Sequence, residues 1–107
     1  MQIQTHSDGQ TVISTFEMTP GTCTDVLEAL QDAYAQVIRH QPGFRGAAIH
    51  VNDAQTRIAT YSQWHSREDF QAMLRTTEMR ARNREIAAIC ARFEPVMYDV
   101  AATYAPD

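Results

Sequence analysis

A change of period inside one short stretch constrains this chain more than any other feature. From Arg57 to Trp64 the side chains alternate, with Ile58, Thr60, Ser62 and Trp64 on one face and Arg57, Ala59, Tyr61 and Gln63 on the other. A period of two is that of a strand. At Ser66 the period becomes helical. Ser66 is followed three residues later by Asp69, in the manner of a capping box, and Phe70, Met73 and Leu74 fall at helical spacing. The stretch 57–74 is therefore a strand running into a capped helix, with the only tryptophan of the chain at the joint. Strand ends beside helix starts are where small α+β domains place ligand pockets.

The remaining segments supply partners for this unit. Thr11 to Met18 is rich in β-branched and aromatic residues and reads as a first strand, ended by Pro20-Gly21. A helix is expected to begin near Thr22 to Thr24 and to run to about His40. Val26, Leu27, Leu30, Tyr34, Val37 and Ile38 form one apolar stripe along it, and Pro42-Gly43 stops it. Phe44 to Asn52 reads as a second strand, joined to the third by a short turn. That turn lacks an Asn-Gly or Asp-Gly pair, which leaves two registers open. One sets His50 across from Ala59, away from Trp64; the other sets it across from Ile58, on the Trp64 face. Thr76-Thr77-Glu78 marks a break and a fresh cap before a helix over 77–91, and a closing strand spans about Phe93 to Thr103.

The order is βαββαβ: a single ferredoxin-like α+β domain over 1–107 with a loose N-terminal arm over 1–9. Its four-stranded antiparallel sheet carries helices on one face. Because the strands are apolar on both sides and the helices cover only one, a homodimer packed through the sheet faces is expected. One domain is what 107 residues can fill.

Composition narrows the function. A net charge of −4 and a pI near 5.4 argue against nucleic acid and acidic membranes as partners. No apolar run is long enough to cross a bilayer, and residues 1–8 lack the charged and apolar regions of a signal peptide. Cys23 and Cys90 have no metal-ligand spacing, so the expectation is a cytoplasmic protein with reduced thiols. No nucleotide-binding glycine motif, zinc motif or nucleophile elbow is present, and the expected metal content is none.

What remains is a set of scattered candidates. Trp64 reads either as a filler of the corner between sheet and helix or as the wall of an aromatic pocket, its indole N–H free for a substrate oxygen. His50 is either a partly exposed strand histidine or a base poised near neutral pH. Arg82, Asn83 and Arg84 interrupt an apolar helix stripe marked by Met79, Ile86, Ile89 and Cys90. Two of the three can point to solvent as a charged face, but position 82 or 83 must lie on the buried side, where a cation or an amide would stabilise a phenolate or enolate. Tyr34 and Tyr61 can line the same cavity or pack as core.

The element order, together with Met18-Thr19-Pro20-Gly21-Thr22, Gln41-Pro42-Gly43-Phe44, the run from Tyr61 to Phe70 and Phe93-Glu94-Pro95, resembles the antibiotic biosynthesis monooxygenase family. The resemblance covers Thr11 to Val100. It implies a dimeric α+β barrel and, by analogy with members acting on aromatic polyketides, oxidation of an anthrone or hydroquinone to a quinone. Molecular oxygen would be the co-substrate, with no flavin, haem or metal. It casts Trp64 as a pocket tryptophan, His50 as a strand histidine and Arg82 or Arg84 as a helix arginine, with Phe70 where some members place a tyrosine. Thr60 stands where those oxygenases often carry an asparagine; a hydroxyl donates one hydrogen bond but lacks the paired geometry of an amide. The haem-degrading branch uses asparagine, tryptophan and histidine where this chain has Ser14, Met73 and Asn83, so haem cleavage is not implied. The resulting expectation is an apolar pocket of Trp64, Phe70, Met73, Tyr34 and Leu30, in which His50 or an arginine favours the substrate anion while Thr60 and the Trp64 N–H hold an oxygen. In that scheme Trp64→Phe lowers turnover more than stability. A polyketide cyclase or isomerase, or a non-catalytic small-molecule-binding dimer, would use the same pocket.

Overall fold

A computed structural model describes residues 9–107. The expected arm therefore lies, Gly9 apart, outside the described residues. The elements are β1 (Gln10–Glu17), α1 (Pro20–Gln36), a 3-10 turn (Ile38–His40), β2 (Phe44–Val51), β3 (Arg57–Trp64), α2 (Arg67–Arg75), α3 (Thr77–Ile89) and β4 (Arg92–Tyr98). The strands form one antiparallel sheet in the order β2-β3-β1-β4, the ferredoxin-like arrangement.

Local chemistry sets each boundary. Pro20 does more than end β1: it occupies the first turn of α1, where its missing N–H costs nothing, and the helix starts earlier than the 22–24 expected. The main helix ends at Gln36 and the 3-10 turn carries the chain on to His40. Both anticipated caps form, with the Ser66 hydroxyl accepting from Asp69 N (3.1 Å) and that of Thr76 from Met79 N (3.2 Å). β4 ends at Tyr98, short of the expected Thr103, with Tyr98 paired to Thr11 near the start of β1.

The hairpin register is resolved. Asn52 Oδ1 accepts from the N–H groups of Thr56 (3.0 Å) and Arg57 (2.8 Å), and Gln55 takes a left-handed conformation. This clamp pairs His50 with Ala59, on the face away from Trp64. At the other end of β2 a bulge at Arg45 shifts the pairing between Phe44 and Gly46. The bulge lets Phe44 share the helix side with Ala47 and Ile49, which simple alternation forbids.

The helices cover one sheet face. Val12, Phe16, Ile58 and Trp64 lie beneath them, each fully buried. Two apolar clusters form, one around Trp64, Phe70, Met73, Met79 and Ile38, the other around Phe16, Val26, Leu30, Ile58 and Ile86. The opposite face presents Ile13, Ala59 and Tyr61, with Val96 (36% exposed) and Tyr98 (47%) at its β4 edge. None of the described helices is long and apolar enough to cross a membrane.

Candidate functional site

Between the two clusters a cavity of about 40 Å³ remains. Its floor is the middle of the sheet, where Ser14 on β1 pairs directly with Thr60 on β3, and Ser62 lies two residues further along. Leu30 and Tyr34 come from α1, Phe70 and Met73 from α2, Asn83 from α3, and Trp64 closes one end. Phe44 and Phe70 meet the Trp64 ring edge-on, with centroids at 5.3 and 5.7 Å.

One hydrogen bond joins two of the polar groups inside. Trp64 Nε1 donates to Ser62 Oγ at 3.1 Å. The Tyr34 hydroxyl lies towards the side chains of Thr60 and Ser62. Among the described residues no buried side-chain nitrogen or oxygen lacks a partner. The expected free indole N–H is thus corrected: a buried donor needs an acceptor, and Ser62 supplies it.

Seven of the candidates meet at this cavity: Leu30, Tyr34, Thr60, Trp64, Phe70, Met73 and Asn83. The others lie elsewhere. His50 is exposed on the open sheet face, a consequence of the Asn52 clamp. Tyr61 projects to that face as well, where its hydroxyl accepts from Gln63 Nε2 at 2.7 Å. Arg84 is exposed on α3. Arg82 does not line the cavity. It bridges α3 to α1 through Asp32 Oδ2 at 2.6 Å, with Glu78 at 3.7 Å, and the Asp32 hydrogen bond raises its pKa further. Of the three polar residues on α3, only Asn83 faces inward, four residues after Met79 and three before Ile86.

Two floor residues, Ser14 and Ser62, were not among the sequence candidates. Ser62 shares the Thr60–Trp64 face in the alternation, and a buried indole calls for just such an acceptor. Ser14, in the sequence only the counterpart of an asparagine of the haem-degrading branch, joins the floor through the β1–β3 register that sets it against Thr60.

The cavity is uncharged. Tyr34 is its one titratable lining group, and burial raises its pKa above the ordinary 10.0, partly offset by the Thr60 and Ser62 side chains. The folded protein therefore keeps this proton where the unfolded chain would lose it. The associated stability is fully present below pH 10 and declines as pH rises through the folded pKa. In an alkaline absorbance titration Tyr34 is expected to ionise after ordinary tyrosines, and Tyr34→Phe should remove that late phase. No group of three or more histidine, cysteine, aspartate or glutamate side chains comes together among the described residues.

The comparisons with known proteins agree with this geometry. Residues 10–85 match the profile of the antibiotic biosynthesis monooxygenase family. Tetracenomycin-F1 monooxygenase of Streptomyces glaucescens is 32% identical over 63 residues, covering 59% of this chain and 56% of that protein. The chain thus matches little more than half the length of that relative. Among solved structures, the ActVA-Orf6 monooxygenase of Streptomyces coelicolor, in complex with nanaomycin D, superposes with a TM-score of 0.76 at 22% identity, covering 92% of this chain and 93% of that one. SnoaB, a cofactor-independent oxygenase from Streptomyces nogalater, gives a TM-score of 0.71 at 17% identity, covering 94% and 100% of the two chains. At such identities the structures speak for the fold, while the profile match, over most of the chain, places it: the chain belongs to the antibiotic biosynthesis monooxygenase family.

Proposed function

We propose that this protein is a monooxygenase that converts an anthrone-type aromatic polyketide to the quinone with molecular oxygen, needing no flavin, haem or metal. The observation that carries this reading is the cavity itself, with aromatic walls of Trp64 and Phe70, a sheet floor of uncharged donors, Ser14, Thr60 and Ser62, and the Asn83 amide from α3. Oxidation of an anthrone methylene consumes one O₂: one atom becomes the new carbonyl oxygen, the other leaves as water with the two hydrogens. The enolate of such a ring gives up an electron to oxygen far more readily than the neutral form. With no ionised side chain in the lining, stabilisation of that oxyanion falls to hydroxyl and amide donors in a site that excludes water. Thr60, where relatives often carry asparagine, supplies one such donor. Thr60→Val is therefore expected to lower turnover by about 10-fold or more. The test is oxygen consumption with an anthrone by protein stripped of metal and flavin. A requirement for added flavin or iron sinks the cofactor-free reading; turnover without oxygen uptake points to a cyclase or isomerase.

One observation favours a second reading, a non-catalytic small-molecule-binding protein. The cavity of about 40 Å³ is small beside the several hundred Å³ typical of ligand pockets, and its indole N–H is already paired with Ser62. Saturable binding of the anthrone with no turnover would select it.

The proposed working unit is a homodimer. Ile13, Val96 and Tyr98 give the open sheet face an apolar surface that a second copy would bury. Val96→Arg is expected to shift sedimentation to the monomer; sedimentation of the unaltered protein as a monomer at all accessible concentrations would exclude the dimer.

A further inference from the structure

Tyr34 belongs to two spaces at once. Its side chain lines the inner cavity and also an open groove of about 440 Å³ between α1 and the edge strand β2. Gln31, Ala35 and Arg39 of the α1 side and Phe44 and Ala48 of β2 are among the other residues that line that groove. The small residues Ala35, Ala47 and Ala48 leave it wide enough for an aromatic ring, whereas the inner cavity, at about 40 Å³, has room for little more than a water molecule.

The way Tyr34 sits in the cavity is also informative. Its phenol shares the cavity with the Thr60 and Ser62 side chains, whose hydroxyls act on it. A phenolic ring over a polar floor is the same arrangement that an incoming hydroxyaromatic would seek. We propose that Tyr34 is a gate: it fills the inner site as a tethered phenol, turns out into the α1–β2 groove when a hydroxyaromatic ring arrives, and yields its place beside Thr60 and Ser62 to the oxygen of that ring. The proposal rests on the inner cavity being the ligand site. Exchanging one phenolic hydroxyl for another is close to neutral, and the groove reburies the displaced ring, so the open state stays within reach. Gating also accounts for a small cavity in a protein whose function needs a large one.

The test reads quenching of Trp64, the only tryptophan, by 1,8-dihydroxyanthraquinone in stopped flow. Tyr34→Phe keeps the ring but removes the hydroxyl that the gate turns towards Thr60 and Ser62. It is expected to bind the probe about 5-fold tighter and faster than the unaltered protein, as a larger binding-competent fraction requires. Ala35→Phe fills the groove from an exposed position. It should slow association by about 10-fold with an unchanged thermal midpoint, because the gate has nowhere to turn. Leu74→Ala widens the cavity from α2, by a route independent of Tyr34. If the unaltered protein binds and either gate variant behaves like it, the gate is overturned and the cavity stands as the site. If no form shows quenching, Leu74→Ala included, the cavity reading fails and the gate with it.

Discussion

Trp64→Ala is expected to cost about 3–5 kcal/mol of folding stability, enough to unfold much of the protein at physiological temperature. The indole is 1% exposed and joins three elements. It packs edge-on against Phe44 of β2 and Phe70 of α2 from the end of β3. Truncation leaves a cavity that rigid sheet and helix cannot collapse to fill. Trp64→Phe keeps most of the packing but removes the donor to Ser62, and a loss of about 1–2 kcal/mol is expected. That hydrogen bond changes what the variant means. Were the N–H free for substrate, Trp64→Phe would lower turnover and leave stability intact. Engaged as it is, the N–H acts on the floor through Ser62, so turnover and stability should fall together. A double-mutant cycle with Ser62→Ala, read by urea denaturation, checks this. Coupling near zero would return the indole N–H to the substrate and restore the simpler expectation.

Much of this was legible in the sequence, for reasons that also explain what was not. The period change at Ser66 has a local cause, a hydroxyl capping a helix, and it formed where alternation ended. The same holds for Thr76 and for the stripe on α1. Face assignments depend on register, which is not local. His50 faces away from the cavity because Asn52 clamps the turn through two backbone N–H groups, a side-chain effect that turn dipeptides do not reveal. Phe44 reaches Trp64 only because one extra residue, Arg45, is bulged out of the ladder. Arg82 and Asn83 are neighbours on one helix, and periodicity alone could not choose between them. Asp32, fifty residues earlier, draws the arginine across to α1 and leaves the amide facing the cavity. The relocation of His50, Tyr61 and Arg84 follows from the same kind of tertiary choice. The lining of the cavity holds hydroxyl and amide groups, with neither His50 nor an arginine among them.

Gly43→Ala should be as disruptive as a core truncation, at about 2–4 kcal/mol, although the residue carries no side chain. Gly43 sits at φ +83°, a conformation that costs an L-residue roughly 1–2 kcal/mol. A methyl group there would collide with the Asp69 side chain at the start of α2. Asp69 cannot retreat freely, since its own N–H donates to Ser66 in the helix cap. The Gly43 carbonyl in turn accepts from His65 N at 2.6 Å, tying the turn before β2 to the end of β3. The glycine therefore lets two chain segments touch next to Trp64, and the next residue is Phe44, whose ring abuts the indole. Displacing this turn should both lower the thermal midpoint and alter the near-ultraviolet circular dichroism of Trp64. Gly21→Ala is the control. Gly21 lies in the first turn of α1 without a positive φ, and a methyl group there meets only Thr19 Oγ1 at an ordinary 3.7 Å. It should stabilise by about 0.4–1 kcal/mol, as alanine restricts the unfolded chain and favours helix. The same chemical change is thus expected to act with opposite sign at the two positions. Equal thermal midpoints for the two variants would remove the Gly43–Asp69 contact from the forces that shape the cavity wall.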